Sequence, residues 1–592
     1  MSIRFPLVLV AVLSACAPAH GEDARWWPGQ APPRALVRTS DRHPSLPLEM
    51  MVQSLAGLAA KAVNEGRGDE MVWVSSDNVD VEGWYERRLK AASPPEVRGA
   101  FGAWELVDRY AKQGIVKGYV LYCPDTSKGR INDHRQGMDL SVNVATSLAG
   151  LLDAIIVDES LEADAQRHGL AKLEDARGKG QAWCFATYKG RFNRRILCTQ
   201  DPKKSNVRDL AVAQKALVLY GALEPVPAAM KWLEPLSPIV GWNGGDEFEA
   251  TRLSSIHGHI QTATDWCLNL PVLMAGSGHA EIRRAPDFDP RTIDWADRRS
   301  TLSFVLSDGD NVQWLETSFF HANKSFWDSP DRGKIPFGWS CCFDHLVQLC
   351  PEAIDLALTT RTPNDRFIEW GGGYYYPDLF GLARPDRRGL LARQARRTLA
   401  LMGKTNTRII GFNVAHVDSP DALRAYDDFA KETDGLLAML VFQYDPYEGG
   451  AGKTFWVKDA RGVDVPVISA RYSLWEHTNR RPGSGTPAKV AREVRANAVS
   501  QRTCHDWAIV HAWSYFRRAP GADEEAENME QEGAPARGGV RGYTPAVWCT
   551  ERLPASVRVV APEELAWRVR MAHDPEATRR LIGSIRVEGS AP

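Results

Sequence analysis

Residues 301–311 read TLSFVLSDGDN, an apolar, β-rich run that gives way at once to two aspartates, a glycine and an asparagine. Thr301–Ser307 has the composition of a buried strand, and Ser307-Asp308-Gly309-Asp310-Asn311 is strand-end and turn chemistry. The same rhythm recurs downstream. Strands are expected at Ile335–Ser340, Arg366–Trp370, Arg408–Asn413, Leu436–Gln443, Pro466–Ala470, Trp507–His511 and Val557–Val560. Helical patterns fall between most of them, at Asp344–Leu349, Gly389–Leu401, Asp421–Glu432, Thr486–Gln501 and Pro562–Met571. Eight strands in about 260 residues is the count of a (β/α)8 TIM barrel, so residues 291–592 are expected to form one.

Upstream, short strands again alternate with helices: Met71–Ser75, Val116–Tyr122, Ala154–Asp158, Arg195–Thr199 and Ile239–Trp242 against Pro47–Asn64, Gly102–Lys112, Met138–Gly150 and Val207–Tyr220. This order predicts a parallel-sheet α/β domain over residues 22–290. The polar, Pro-bearing stretch Arg283–Arg299 marks the boundary. The acidic, Gly/Pro-rich segment Gly521–Gly539 reads as a mobile loop.

The chain has 592 residues, and 72 Lys+Arg against 74 Asp+Glu leave a net charge of −2, without the basic excess of a nucleic-acid binder. It holds 20 Trp, more than its 19 Phe or 15 Tyr. Large indole faces serve either core packing or platforms for flat ligands. The first 21 residues form a secretory signal, with Arg4 ahead of an apolar run from Phe5 to Ala15 that is too short to span a bilayer. Ala19-His20-Gly21 fits a cleavage site, and Leu13-Ser14-Ala15-Cys16 fits a bacterial lipobox that would tether the protein through a lipid on Cys16. Either reading makes the protein exported: periplasmic, tethered to the outer membrane, or secreted.

No cofactor or metal is expected. No GxGxxG follows a strand, no GxSxG elbow occurs, and the cysteines lack CxxC spacing. His257-Gly258-His259 has no obvious third ligand and is read as structural or surface.

In a barrel the active site lies where strands end. On an extended chain Asp308 and Asp310 would point to one side, suited to acid/base work, hydroxyl binding or a hard cation. The third strand ends in EWGGGYYYPD, residues 369–378. Gly371, Gly373, Tyr374, Tyr376 and Pro377 fill every fixed position of the motif by which this run resembles the bacterial GxGYxYP family, grouped with glycoside hydrolases. The SDGDN run and Ala470-Arg471-Tyr472 are similar to the same family. The likeness covers the C-terminal half, with a looser one to the companion N-terminal domain. It implies a two-domain exported protein with a barrel-like C-terminal domain that acts on glycans, and it carries over no catalytic residues.

Hydrolysis of a glycosidic bond takes two carboxyls, one of them kept protonated. The candidates are Asp310, Asp308, Glu476 and Glu369, although strand parity leaves open which way Glu369 points. Substrate contacts are expected from Asn311, Trp314, Trp339, Gly373, Tyr374, Tyr376, Asp378, Arg471, Trp475, His511 and Trp513, all at or just past strand ends. Singly, strand-end residues such as Trp314, Trp339, Arg471, Trp475, His511 and Trp513 are more often core or rim packing than ligand contacts. Two other functions fit the same residues: a non-catalytic glycan-binding protein, and a metal-assisted hydrolase or deacetylase with Asp308 and Asp310 as ligands.

Overall fold

The computed structural model describes residues 26–585 apart from 134–136, 278–280, 445–449, 477–480, 501–502, 519–524 and 528–538. The signal segment with Cys16, His477 and most of the acidic segment 521–539 therefore lie outside the described residues. Among the described residues, no helix is long and apolar enough to cross a membrane.

The N-terminal region builds three small sheets, all parallel. Ala35–Ser40 lies between Glu70–Ser75 and Glu96–Ala100; Gly118–Tyr122 lies between Ala154–Asp158 and Lys172–Asp175. The third sheet runs Ile260–Thr262, Pro238–Gly241, Leu197–Thr199, Leu217–Leu219. Helix Leu46–Asn64 is buried on every face from Met50 to Val63, as an apolar helix wedged among sheets must be. The helix expected over Val207–Tyr220 stops at Ala213. Lys215 takes a positive φ of 52°, and Leu217–Leu219 continues as a strand, because an apolar run this short reads equally well either way.

The C-terminal region is one curled sheet of 11 strands rather than a (β/α)8 barrel. From Ser300–Leu306 the parallel order runs through Phe337–Cys341, Asp365–Trp370, Ile409–Val414, Ala438–Gln443 and Asp464–Ser469, with Thr454–Lys458 added antiparallel at that edge. On its other side Ser300–Leu306 pairs with His505–Val510, which pairs with Tyr472–Leu474. The chain from Asp464 to Leu474 thus serves both flanks: its first half pairs with Ala438–Gln443, its second with His505–Val510. The eighth expected strand, Val557–Val559, has only three residues and pairs with the base of Ser300–Leu306, whose free edge His505–Val510 already takes. Eight-fold closure therefore does not occur.

Parallel strands finish on one side, so the loops that follow them gather there. Asp308, Asp310, Tyr374 and Trp513 follow strand ends on that side.

Candidate functional site

Ser300–Leu306 is buried throughout and delivers Ser307 to the strand end. The chain does not stay extended: Asp308 adopts a φ of +64°, which for a residue other than glycine costs about 1 kcal/mol or more. Its side chain is tied down. Trp513 Nε1 donates to Asp308 Oδ1 at 2.7 Å, Ser307 Oγ donates to Oδ2, and Ser307 Oγ accepts from the Ala512 amide at 3.0 Å. Gly309 follows because nothing larger fits: a Cβ there would lie 2.3 Å from the Ser340 carbonyl carbon on the adjacent strand. Asn311 caps the short helix Val312–Thr317 by accepting from the Trp314 amide at 3.1 Å.

The turn at Asp308 sets the two aspartates in different surroundings. Asp310 is 3% exposed, and burial, followed by the charge of Asp308, holds its carboxyl well above the usual range. Burial raises Asp308 too, while Ser307 and Trp513 pull it back down. When two close carboxyls share protons, the one with donors facing it keeps the charge. Here the donors face Asp308, and Asp310 is the carboxyl raised further.

Facing them is the glycine-rich turn. Gly371, Gly372 and Gly373 have φ values of 70°, 77° and 106°. Beneath the turn, Trp27 Nε1 donates to His345 Nδ1 at 3.0 Å, so the ring proton sits on Nε2 and is donated to the Gly372 carbonyl at 2.9 Å. Burial pushes His345 down to about 3, so the ring is neutral. Tyr374 then pairs with Gln261 of the N-terminal region through both backbone groups, each at 3.0 Å. Its ring meets the Trp242 ring with centroids 5.1 Å apart. Burial raises the Tyr374 hydroxyl, and the charges of Asp310, Glu247 and Asp308 raise it further.

Other expected contacts lie elsewhere or play other parts. Tyr376 is sealed between Phe248 and Tyr444, with ring centroids 5.4 and 5.6 Å away, and joins the N-terminal region to the sheet. Asp378 accepts from the amides of Ala415 and His416, and burial lifts it to about 6. Gly373 must be glycine because a Cβ would sit 2.5 Å from His345 Nε2. Glu369 is 0% exposed, packed under the turn, and accepts from the Asp344 amide at 3.2 Å; burial and Asp344 keep it protonated. Its side chain is enclosed in the interior beneath the turn. Glu476 is buried and accepts from the Tyr515 amide at 2.9 Å. Beside it Trp475 stacks on His511 at 3.7 Å, and both rings are partly open to solvent.

Arg471 sits at the corner of the 464–474 chain and pairs with Asp506, near the start of strand His505–Val510 and away from the cleft. Trp314 lies behind Trp513 in the core. Trp339 is fully buried, and its Nε1 donates to Asp365 Oδ1 at 2.8 Å, at the start of strand Asp365–Trp370 and the wrong end of the sheet for the cleft. Trp339→Phe is expected to cost about 1–2 kcal/mol in urea unfolding while leaving KM unchanged.

Sequence reading missed Trp242, Glu247, Phe248 and Gln261, which close the site from the N-terminal region. The signal was available: GWNGGDE, residues 241–247, follows strand Pro238–Gly241 much as SDGDN follows Ser300–Leu306. Asp344 and His345, just past Phe337–Cys341, were read only as the start of a helix. His259 is buried, with Nε2 against the Met230 carbonyl at 2.7 Å, a structural position. Among the described residues, no group of three or more His, Cys, Asp or Glu could hold a metal ion.

Residues 299–517 match the model of the GxGYxYP putative glycoside hydrolase C-terminal domain, and residues 116–192 match the GxGYxYP_N second domain. The chain belongs to the GxGYxYP family. Its fold is similar to that of a protein from Bacteroides thetaiotaomicron VPI-5482, whose crystal structure is described as that of a putative hydrolase. The two are 21% identical over 91% of this chain and 95% of that one, with a TM-score of 0.71. No curated protein matches the chain.

Proposed function

We propose that the protein is a glycoside hydrolase whose acid is Asp310 and whose charged partner is Asp308. One observation carries this reading: two buried carboxyls share a strand end, and Asp310 is raised well above the usual range while Trp513 and Ser307 pull Asp308 partly back down. Two carboxyls pushed apart in this way are what cleavage of an acetal needs. Asp310 gives its proton to the leaving glycosidic oxygen as the C–O bond breaks. Asp308 faces the positive charge that develops at the anomeric carbon. Water adds to that carbon, and its proton returns to the carboxyl pair. Trp513, Trp475 and His511, which are partly open, offer aromatic surface and polar tips for sugar rings. The family description supports this reading, and the export signal read in residues 1–21 suits a substrate met outside the cytoplasm.

The test is release of reducing ends from a panel of polysaccharides and oligosaccharides. Binding without release by the wild type would favour a glycan-binding protein instead. The pH profile gives a second check. Asp310 must be protonated to act, so kcat/KM falls as pH rises through its pKa. Asp308→Asn removes the negative neighbour that holds this pKa up, so the alkaline limb should move to lower pH by about one unit. A limb that stays in place would detach Asp310 from Asp308.

A further inference from the structure

All 20 Trp fall within the described residues, and just one of them, Trp266, is exposed, at 48%. Its position is built. The segment that carries it leaves the Gln261–Tyr374 pairing and runs along the short helix that Asn311 caps. The Gln313 amide donates to the Ala263 carbonyl at 3.0 Å, and the Trp266 amide donates to Gln313 Oε1 at 2.8 Å. Asn206 Nδ2 donates to the Trp266 carbonyl at 3.2 Å. One face of the indole lies on the Lys204 ammonium, 4.0 Å from the ring, and Lys204 is itself paired with Asp265 in a spot where both side chains are 1% exposed. The backbone and one ring face are therefore fixed, while nearly half of the residue stays open to solvent.

Exposing an indole has a cost, and fixing it in place removes the entropy that a ligand would otherwise have to take from it. Gln313 ties the Trp266 segment to the helix that starts two residues after Asp310, and the same segment begins at the Gln261–Tyr374 backbone pairing. We infer that Trp266 is an outer subsite on which a distal ring of an oligosaccharide stacks, so that the N-terminal region sets the preference for chains over simple glycosides. A pyranose presents a face of C–H bonds to a flat ring, and an open, immobile indole is its natural counterpart. This rests on the hydrolase reading for its substrate class, but it stands on different residues.

The experiment compares wild type, Trp266→Ala and Trp266→Phe on an aryl monosaccharide glycoside and on an oligosaccharide series of rising length. It is paired with affinity electrophoresis in gels containing starch, xylan, galactomannan or polygalacturonate. Trp266→Ala should raise KM about tenfold for the longer chains, leave kcat and the aryl glycoside unaffected, and lose gel retardation; Trp266→Phe should restore most of the affinity. Cleavage by the wild type with equal KM values in Trp266→Ala at every length overturns the subsite and leaves the hydrolase reading intact. Retardation of the wild type without cleavage, lost in Trp266→Ala, upholds the subsite and overturns hydrolysis. Neither cleavage nor retardation overturns both.

Discussion

Asp310→Asn is expected to lower glycan hydrolysis about 10³-fold without lowering the melting temperature. General acids contribute about 10²- to 10⁴-fold, and an amide has no proton to give. The fold should be indifferent because burial already holds this carboxyl in its neutral form, so Asn replaces one uncharged planar group by another of the same shape. At neutral pH the change even removes a cost, since the unfolded chain ionises Asp310 and the folded chain does not. The raised pKa means that the stability contribution of this group is complete below the unfolded value near 4 and is lost as pH rises through the folded value. A rate within a few-fold of wild type, measured as reducing-end release on a cleaved substrate, would remove Asp310 from the acid's role. A collapse of both rate and stability would point to a structural part instead.

How much of this was legible in the sequence varies with the physics of each feature. The strand Ala438–Gln443 was readable because a strand buried on both faces tends to be a continuous apolar run. Closure was not readable, because it depends on pairing: Val557–Val559 has strand composition, yet His505–Val510 occupies the edge it would need. The strand-end rule led to Asp308, Asp310, Tyr374 and Trp513, which the fold brings to one side. The same rule misplaced Trp339 and Arg471. Residue type says nothing of which end of a sheet a long side chain reaches, and both reach back to carboxylates at strand starts. Glu369 turns on strand parity, which a one-residue shift inverts. The contribution of the N-terminal region was hidden for another reason. Tyr374 and Gln261 are 113 positions apart, and no local pattern announces a backbone pairing over that separation.

The glycine-rich turn of the motif carries a specific steric load at Gly372. Gly372 has a φ of 77°, and a Cβ on it would stand 2.4 Å from Asp344 Oδ2 and 3.0 Å from Thr398 Oγ1. Asp344 cannot withdraw easily. It is buried with Glu369, and its Oδ1 already accepts from the His345 amide at 2.9 Å. His345 in turn is held by Trp27 and holds the Gly372 carbonyl. Gly372→Ala therefore combines a left-handed backbone penalty with overpacking against a buried carboxyl pair. It is expected to cost about 3 kcal/mol in urea unfolding. Gly403→Ala is the matched control. Gly403 lies inside helix Arg387–Thr405 with open space around its Cβ position, so alanine there should stabilise by about 0.5–1 kcal/mol. The turn also aims Tyr374, two residues further on, so the loss in kcat/KM for Gly372→Ala should exceed what its unfolded fraction accounts for at the assay temperature. If Gly372→Ala is no less stable than wild type, or loses activity only in proportion to unfolding, then the buried pair beneath the turn does not position Tyr374.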